Sequence, residues 1–205
     1  MMMKKLMIGA LALLPLSQAF AGDTERDALI ARLNQTDAFT ANFDQVVTSP
    51  EGEVVMKGQG KAWLKRPSFF RWHTLTPDEN LLVSDGQTLW YFNPFVEQVT
   101  AMWLKDATEQ TPLVLITQNN PADWQNYSVT QKGDTFTLTP KVAQSNQGTF
   151  TVTVNDKGQV KGLAMTEQDG QLSKFTFNHF QATMPAASQF QFTVPEGVEL
   201  DDQRQ

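Results

Sequence analysis

His73 and His179 are the two histidines of a 205-residue chain that contains no cysteine. Either imidazole could serve as a general base. A base needs a nucleophile or a polarising partner, and the sequence offers no G-x-S-x-G elbow, no phosphate-binding glycine loop and no H-E-x-x-H. A metal site would need further ligands at sensible spacing, and none accompanies either histidine. The absence of cysteine removes thiolate nucleophiles, thiolate metal sites and redox chemistry. Asp78 and Glu79 are adjacent, so on a strand they would face opposite ways; behind Pro77 they read as a polar turn. Gly58-Gln59-Gly60 is a lone G-x-G inside a strand pattern, the mark of a bend or a close backbone approach. Both histidines therefore read as solvated strand positions. The chain reads as a non-enzyme with no cofactor and no metal.

A different residue has chemical interest. In "KRPSFFRWH", residues 65–73, Arg66 precedes Pro67, Phe69, Phe70 and Trp72 in an acidic chain. This could be an aromatic and basic surface for nucleic acid, part of an active site, or an apolar wall holding one charge. The overall charge weighs against nucleic acid, because such proteins carry a basic field. Residues 1–21 have a basic start at Lys4 and Lys5, an apolar run from Leu6 to Leu16, and Ala19-Phe20-Ala21 as an A-x-A cleavage site. Setting this leader aside removes two of the 16 basic residues and none of the 22 acids, which leaves 14 against 22, a net −8. Its apolar run is too short to span a bilayer. Gly22 follows the cut, so the exported chain has no thiol to lipidate. A bacterial-type leader points to the periplasm, and the acidic balance suits docking on a basic partner. Residues 22–205 suit one domain with a sizeable core.

The elements follow from periodicity. Asp23 to Asp37 predicts a helix, with Thr24 and Asp27 resembling a capping box and Leu29, Ile30 and Leu33 forming a stripe. From residue 54 the period becomes two. Val54, Met56, Gly58, Gly60, Ala62 and Leu64 alternate with Lys57, Gln59, Lys61 and Lys65. Arg66 falls on the apolar parity, either as a surface charge at the strand end or as a charge turned inward. In the next strand Phe70 and Trp72 share a face, opposite Phe69, Arg71 and His73. Asp85-Gly86, Lys132-Gly133, Asp156-Lys157-Gly158 and Asp169-Gly170 are hairpin turns between β-rich runs. The outcome is a meander of long antiparallel strands forming a barrel or part of one.

One segment departs from this pattern. "DATEQTPLVLITQ", 106–118, has Thr111 as N-cap and Pro112 at the first helical position, followed by Leu113, Val114, Leu115 and Ile116. A helix apolar nearly all round must be covered on most sides. It either lies across the open mouth of the sheet or seals a barrel end as an ordinary connection. The chain also holds 14 Phe and 5 Trp. Strands such as Leu89 to Phe92 and Thr100 to Leu104 carry apolar groups on both faces. An aromatic-lined concavity fits a hydrophobic ligand. The faces bearing Val54, Met56, Ala62, Leu64, Phe70, Trp72, Leu89 and Tyr91 are expected to line it.

The segments Trp63 to Pro67, "LVSDGQTLW" and "YFNPFVEQ" together resemble the periplasmic lipoprotein carriers of the Lol pathway, the LolA family. The resemblance runs from the helix after Gly22 to the tail "PEGVELDDQRQ". It implies a mainly β fold with some α: a half-open antiparallel β-barrel covered by a lid of short helices. It implies a monomeric chaperone that takes acylated lipoproteins from an inner-membrane lipoprotein-releasing ABC transporter and delivers them to an outer-membrane lipoprotein acceptor. It places Arg66 as the residue latching the lid, Phe70 and Trp72 in the apolar interior, and 106–118 in the lid. The alternatives are an envelope sensor or adaptor of the same fold that binds a lipid or peptide, and an exported acyl hydrolase, which the missing nucleophile motif opposes.

Overall fold

A computed structural model describes residues 21–107, 112–141 and 148–204. Helix α1, Ala21–Leu33, leads into strands β1, Ala38–Thr48, β2, Val54–Lys65, β3, Phe69–Thr76, β4, Asn80–Asp85, β5, Thr88–Asn93, and β6, Gln98–Trp103. Among the described residues three short helices follow: α2, Leu104–Ala107, α3, Pro112–Gln118, and α4, Pro121–Trp124. Strands β7, Tyr127–Lys132, β8, Thr135–Pro140, β9, Thr149–Val154, β10, Val160–Thr166, and β11, Leu172–Gln181, form a second meander, and β12, Glu199–Asp202, ends the chain. The strands make one sheet in the order β12-β6-β5-β4-β3-β2-β1-β11-β10-β9-β8-β7. β1 joins the two meanders by pairing with both β2 and β11. The sheet stays open, with β7 and β12 at its edges, and α1 packs on β7 and β9. Every pairing is antiparallel except β12 on β6, which is parallel.

The expected turns form as written. Gly86, Gly133, Gly158 and Gly170 all have positive φ, the conformation that glycine adopts without a Cβ penalty. The first helix differs from expectation at both ends. It starts at Ala21, which puts Thr24 inside it, and stops at Leu33, because the chain turns at Asn34 and enters β1 by Ala38. Leu29 and Leu33 are fully buried, and Ile30 packs half-buried beside them. Helix α3 begins at Pro112, as the sequence predicts, while α2 begins at Leu104 and so ends β6 one residue early. The Thr111 cap lies outside the described residues, as does the leader apart from Ala21.

The G-x-G in β2 is a close approach. A Cβ on Gly60 would overlap the Phe43 ring and the His73 carbonyl. The missing side chain lets Phe43 lie flat across the strand and stack on Trp72, centroids 4.1 Å apart. Gly60→Ala is therefore expected to destabilise the fold by about 1–3 kcal/mol through overpacking. A urea titration that shows an unchanged midpoint would contradict that placement.

Candidate functional site

Residues directly opposite in an antiparallel ladder share a face. Phe39, Leu64, Phe70, Ser84, Leu89 and Met102 form one such row across β1 to β6. Ala41, Ala62, Trp72, Leu82, Tyr91 and Thr100 form the next. The parity of β2, β3 and β5 thus brings Ala62, Leu64, Phe70, Trp72, Leu89 and Tyr91 onto one inner face. Met56 joins them opposite Val47 and is half-buried. Tyr91 sits at the rim, 38% exposed. Val54 does not follow the set. The register shifts after Val47, so Val54 pairs with Thr48 and is 53% exposed. A bulge takes an extra residue out of the alternation, which strand parity alone does not foresee.

Trp72 is the centre of the aromatic cluster. Besides stacking on Phe43, it meets Phe175 edge-on at 5.1 Å and Phe177 at 5.8 Å. Phe175 and Phe177 come from β11, across β1, and no local pattern in β3 announced them. Trp72, Leu82, Leu113, Phe150, Leu163, Ala164, Met165 and Phe175 enclose an apolar cavity of about 160 Å³. That is below the roughly 300–1,000 Å³ of ordinary ligand pockets.

Helix α3 fills much of the concave face. Val114, Leu115 and Ile116 are at most 1% exposed, and Leu113 is a half-buried wall of the cavity. Val114 belongs to a cluster with Phe70, Leu89, Leu104 and Ala107. Leu115 and Ile116 belong to the larger cluster that includes Leu29, Leu33 and Trp124. A seven-residue helix is marginal in water without such packing. Its C-terminus has two polar anchors. Asn119 ends the helix at φ 47°; its Nδ2 donates to Ile30 O and to Asn34 Oδ1, and its Oδ1 accepts from Trp124 Nε1.

Arg66 is the other anchor. Its Nη1 donates to the carbonyls of Ile116 at 2.7 Å and Thr117 at 2.9 Å, and its Nε donates to Thr36 O at 3.1 Å. Last-turn carbonyls lack intrahelical donors and stand at the negative end of the helix dipole. Burial pulls the guanidinium down to about 10, with Asp37 acting the other way, so it remains charged at neutral pH. Lys65, Phe69, Arg71 and His73 of the same stretch lie on the opposite face from Phe70 and Trp72. Lys65 lies 4.9 Å over the Phe69 ring, Phe69 meets Phe190, Arg71 reaches Gln189 O, and His73 Nε2 pairs with Glu79. His179 lies exposed in a register shift of β11 with φ 51°. Neither histidine faces the inner cluster.

The family model for the outer membrane lipoprotein carrier protein LolA matches residues 34–193. An outer-membrane lipoprotein carrier protein of Photobacterium profundum is 57% identical over 97% of this chain and all of its own length. One from Yersinia enterocolitica is 52% identical over 99% of this chain and again all of its own. Among solved structures, an uncharacterized conserved protein from Thermus thermophilus has the same fold, with a TM-score of 0.56 at 9% identity, covering 86% of this chain and 98% of that one.

A charge placed under α3 tests how the concave face is covered. Val114→Asp would set a carboxylate against Phe70 and Leu89 at a cost of at least about 2 kcal/mol unless the helix swings out. The expected result is higher binding of an apolar fluorescent dye with the β-sheet circular dichroism retained. Dye binding at the level of the unmodified protein would mean that α3 does not cover the face.

Proposed function

The chain belongs to the LolA family of outer membrane lipoprotein carrier proteins, and from that premise we propose that it ferries acylated lipoproteins through the periplasm as a monomer. On this reading an inner-membrane lipoprotein-releasing ABC transporter loads it and an outer-membrane lipoprotein acceptor unloads it. No covalent chemistry occurs at the carrier. Among the described residues no helix is long and apolar enough to cross a membrane.

The observation that carries the reading is the bond from Arg66 to the last-turn carbonyls of α3. Burying an acyl chain is worth about 0.8 kcal/mol per CH₂, so several long chains represent tens of kcal/mol. A cavity of about 160 Å³ is too small for them, and α3 has to yield for the chains to enter. Displacing it exposes Val114, Leu115 and Ile116 and removes two acceptors from a partly buried cation. Hydrogen bonds to charged groups contribute about 1.5–3 kcal/mol each. The latched arrangement therefore competes with the loaded one and limits how tightly cargo is held. An uptake step followed by a release step requires two states of similar free energy.

Arg66→Leu separates these roles. Leucine keeps an apolar side chain at this position and takes the donor away from the carbonyls of Thr36, Ile116 and Thr117, which weakens the covered state; the variant should still fold and load cargo. Delivery should slow at least about tenfold, because the latched state no longer draws the lid back. The measurement is transfer of a tagged lipoprotein from the purified carrier to vesicles that bear the acceptor. Transfer at the normal rate would reduce Arg66 to a structural charge.

A further inference from the structure

The inner face changes character along its strands. The rows through Leu64 and Ala62 are mostly apolar. The next row holds Phe43, Gly60, Thr74 and Asn80. Beyond it, Gln45 stands opposite Gly58 on one side and Phe175 on the other. Its parity is that of Phe39, Ala41, Phe43 and Val47, all buried, so an amide occupies a position that β1 otherwise gives to apolar groups. Gly58 leaves space over it: a Cβ there would lie 3.2 Å from Gln45 Oε1. Among the described residues no side-chain partner holds the Gln45 amide. Thr74, 7% exposed, also has an uncommitted hydroxyl there.

Gln45, Thr74 and Asn80 meet in a second cavity of about 290 Å³, bounded also by Met56, Pro77 and Asp78. Trp72 and Phe175 are walls of this cavity and of the apolar one. A ligand with hydrocarbon against one side of these two rings reaches amides and a hydroxyl at the other.

We propose that this second cavity binds the polar junction of the cargo, the ester and amide groups where acyl chains meet the first residues of the polypeptide. The proposal rests on the carrier reading. Esters and acylated amides present carbonyl acceptors and an N–H donor and carry no charge. Gln45 supplies two donors and an acceptor, and Thr74 supplies one hydroxyl. A bare hydrocarbon leaves both unsatisfied, so the junction site selects acylated polypeptide over free hydrocarbon. A site built to hydrogen-bond discriminates against a ligand that lacks the partner.

Two probes test this on the whole protein: a tripalmitoylated cysteinyl peptide and a pyrene-labelled alkane, each titrated by fluorescence. Gln45→Met keeps the side-chain length and removes the amide. It should weaken the lipopeptide roughly fivefold to tenfold and leave the alkane unchanged. Thr74→Val should act in the same direction, and it alone decides the matter if Gln45→Met fails to fold. Equal loss for both probes, or no loss for the lipopeptide, overturns the junction site. Wild-type protein that binds the alkane but not the lipopeptide overturns it as well. Binding of neither probe by wild type overturns the carrier reading beneath it.

Discussion

A partly buried guanidinium that cannot shed its charge has to find acceptors, and in this chain it finds two of them on the last turn of a seven-residue helix. Arg66 bonds Ile116, Thr117 and Thr36 through backbone carbonyls alone. Backbone acceptors exist only while the helix keeps its place, so this charge reads position and not side-chain identity. The other parts of the inner face are arranged around that link. β2 delivers Arg66 to the barrel end, and α3 brings its last turn there. Asn119 ties the same turn to α1 and to Trp124. The concave face and its covering helix are thus joined by few directional contacts and many non-directional ones.

The outer face of the same strands is covered differently. Trp90 lies beside Phe192 and under Arg204, which also lies over Trp103 and is held by Asp202. The covering segment then pairs through β12 with β6 along its backbone. A ladder of main-chain bonds with aromatic contacts is a fixed cover. Helix α3 is held instead by Arg66, Asn119 and apolar side chains, and on the proposed reading it is the removable cover. The doubly apolar strand Leu89 to Phe92 needs both, one on each side.

This distinction explains what was legible in the sequence. Parity alone placed Ala62, Leu64, Phe70, Trp72 and Leu89 on one face, because alternation in β2, β3 and β5 is a local property. It failed at Val54, where a bulge that depends on the β1 partner interrupts the count. The apolar run 113–116 announced a covered helix, although not the helical turn at Leu104 to Ala107. Phe175, Phe150 and Leu163 were not legible as cavity walls, since only the β1–β11 pairing carries them to Trp72. The C-terminal cover was equally silent: its short strand is parallel, polar, and defined by its partner.

A carrier of acyl chains has to resolve one conflict, since a surface apolar enough to hold them is apolar enough to aggregate. A permanent cover would prevent uptake, and no cover would leave the surface to other proteins. On the proposed reading both demands are met by a helix whose own side chains substitute for hydrocarbon, with cargo and helix competing for the same aromatic bed around Trp72. Competition of that kind cancels most of the burial free energy between the two states. What remains to set the balance is small and directional, and the bonds from Arg66 to the helix terminus are of the right size for it. The polar row at Gln45, Thr74 and Asn80 lies outside that exchange. Among its described side chains the helix contributes an apolar wall at Leu113 to the first cavity and none to the cavity those three residues line. Selection of the cargo and regulation of its release can therefore reside in different residues of one continuous surface.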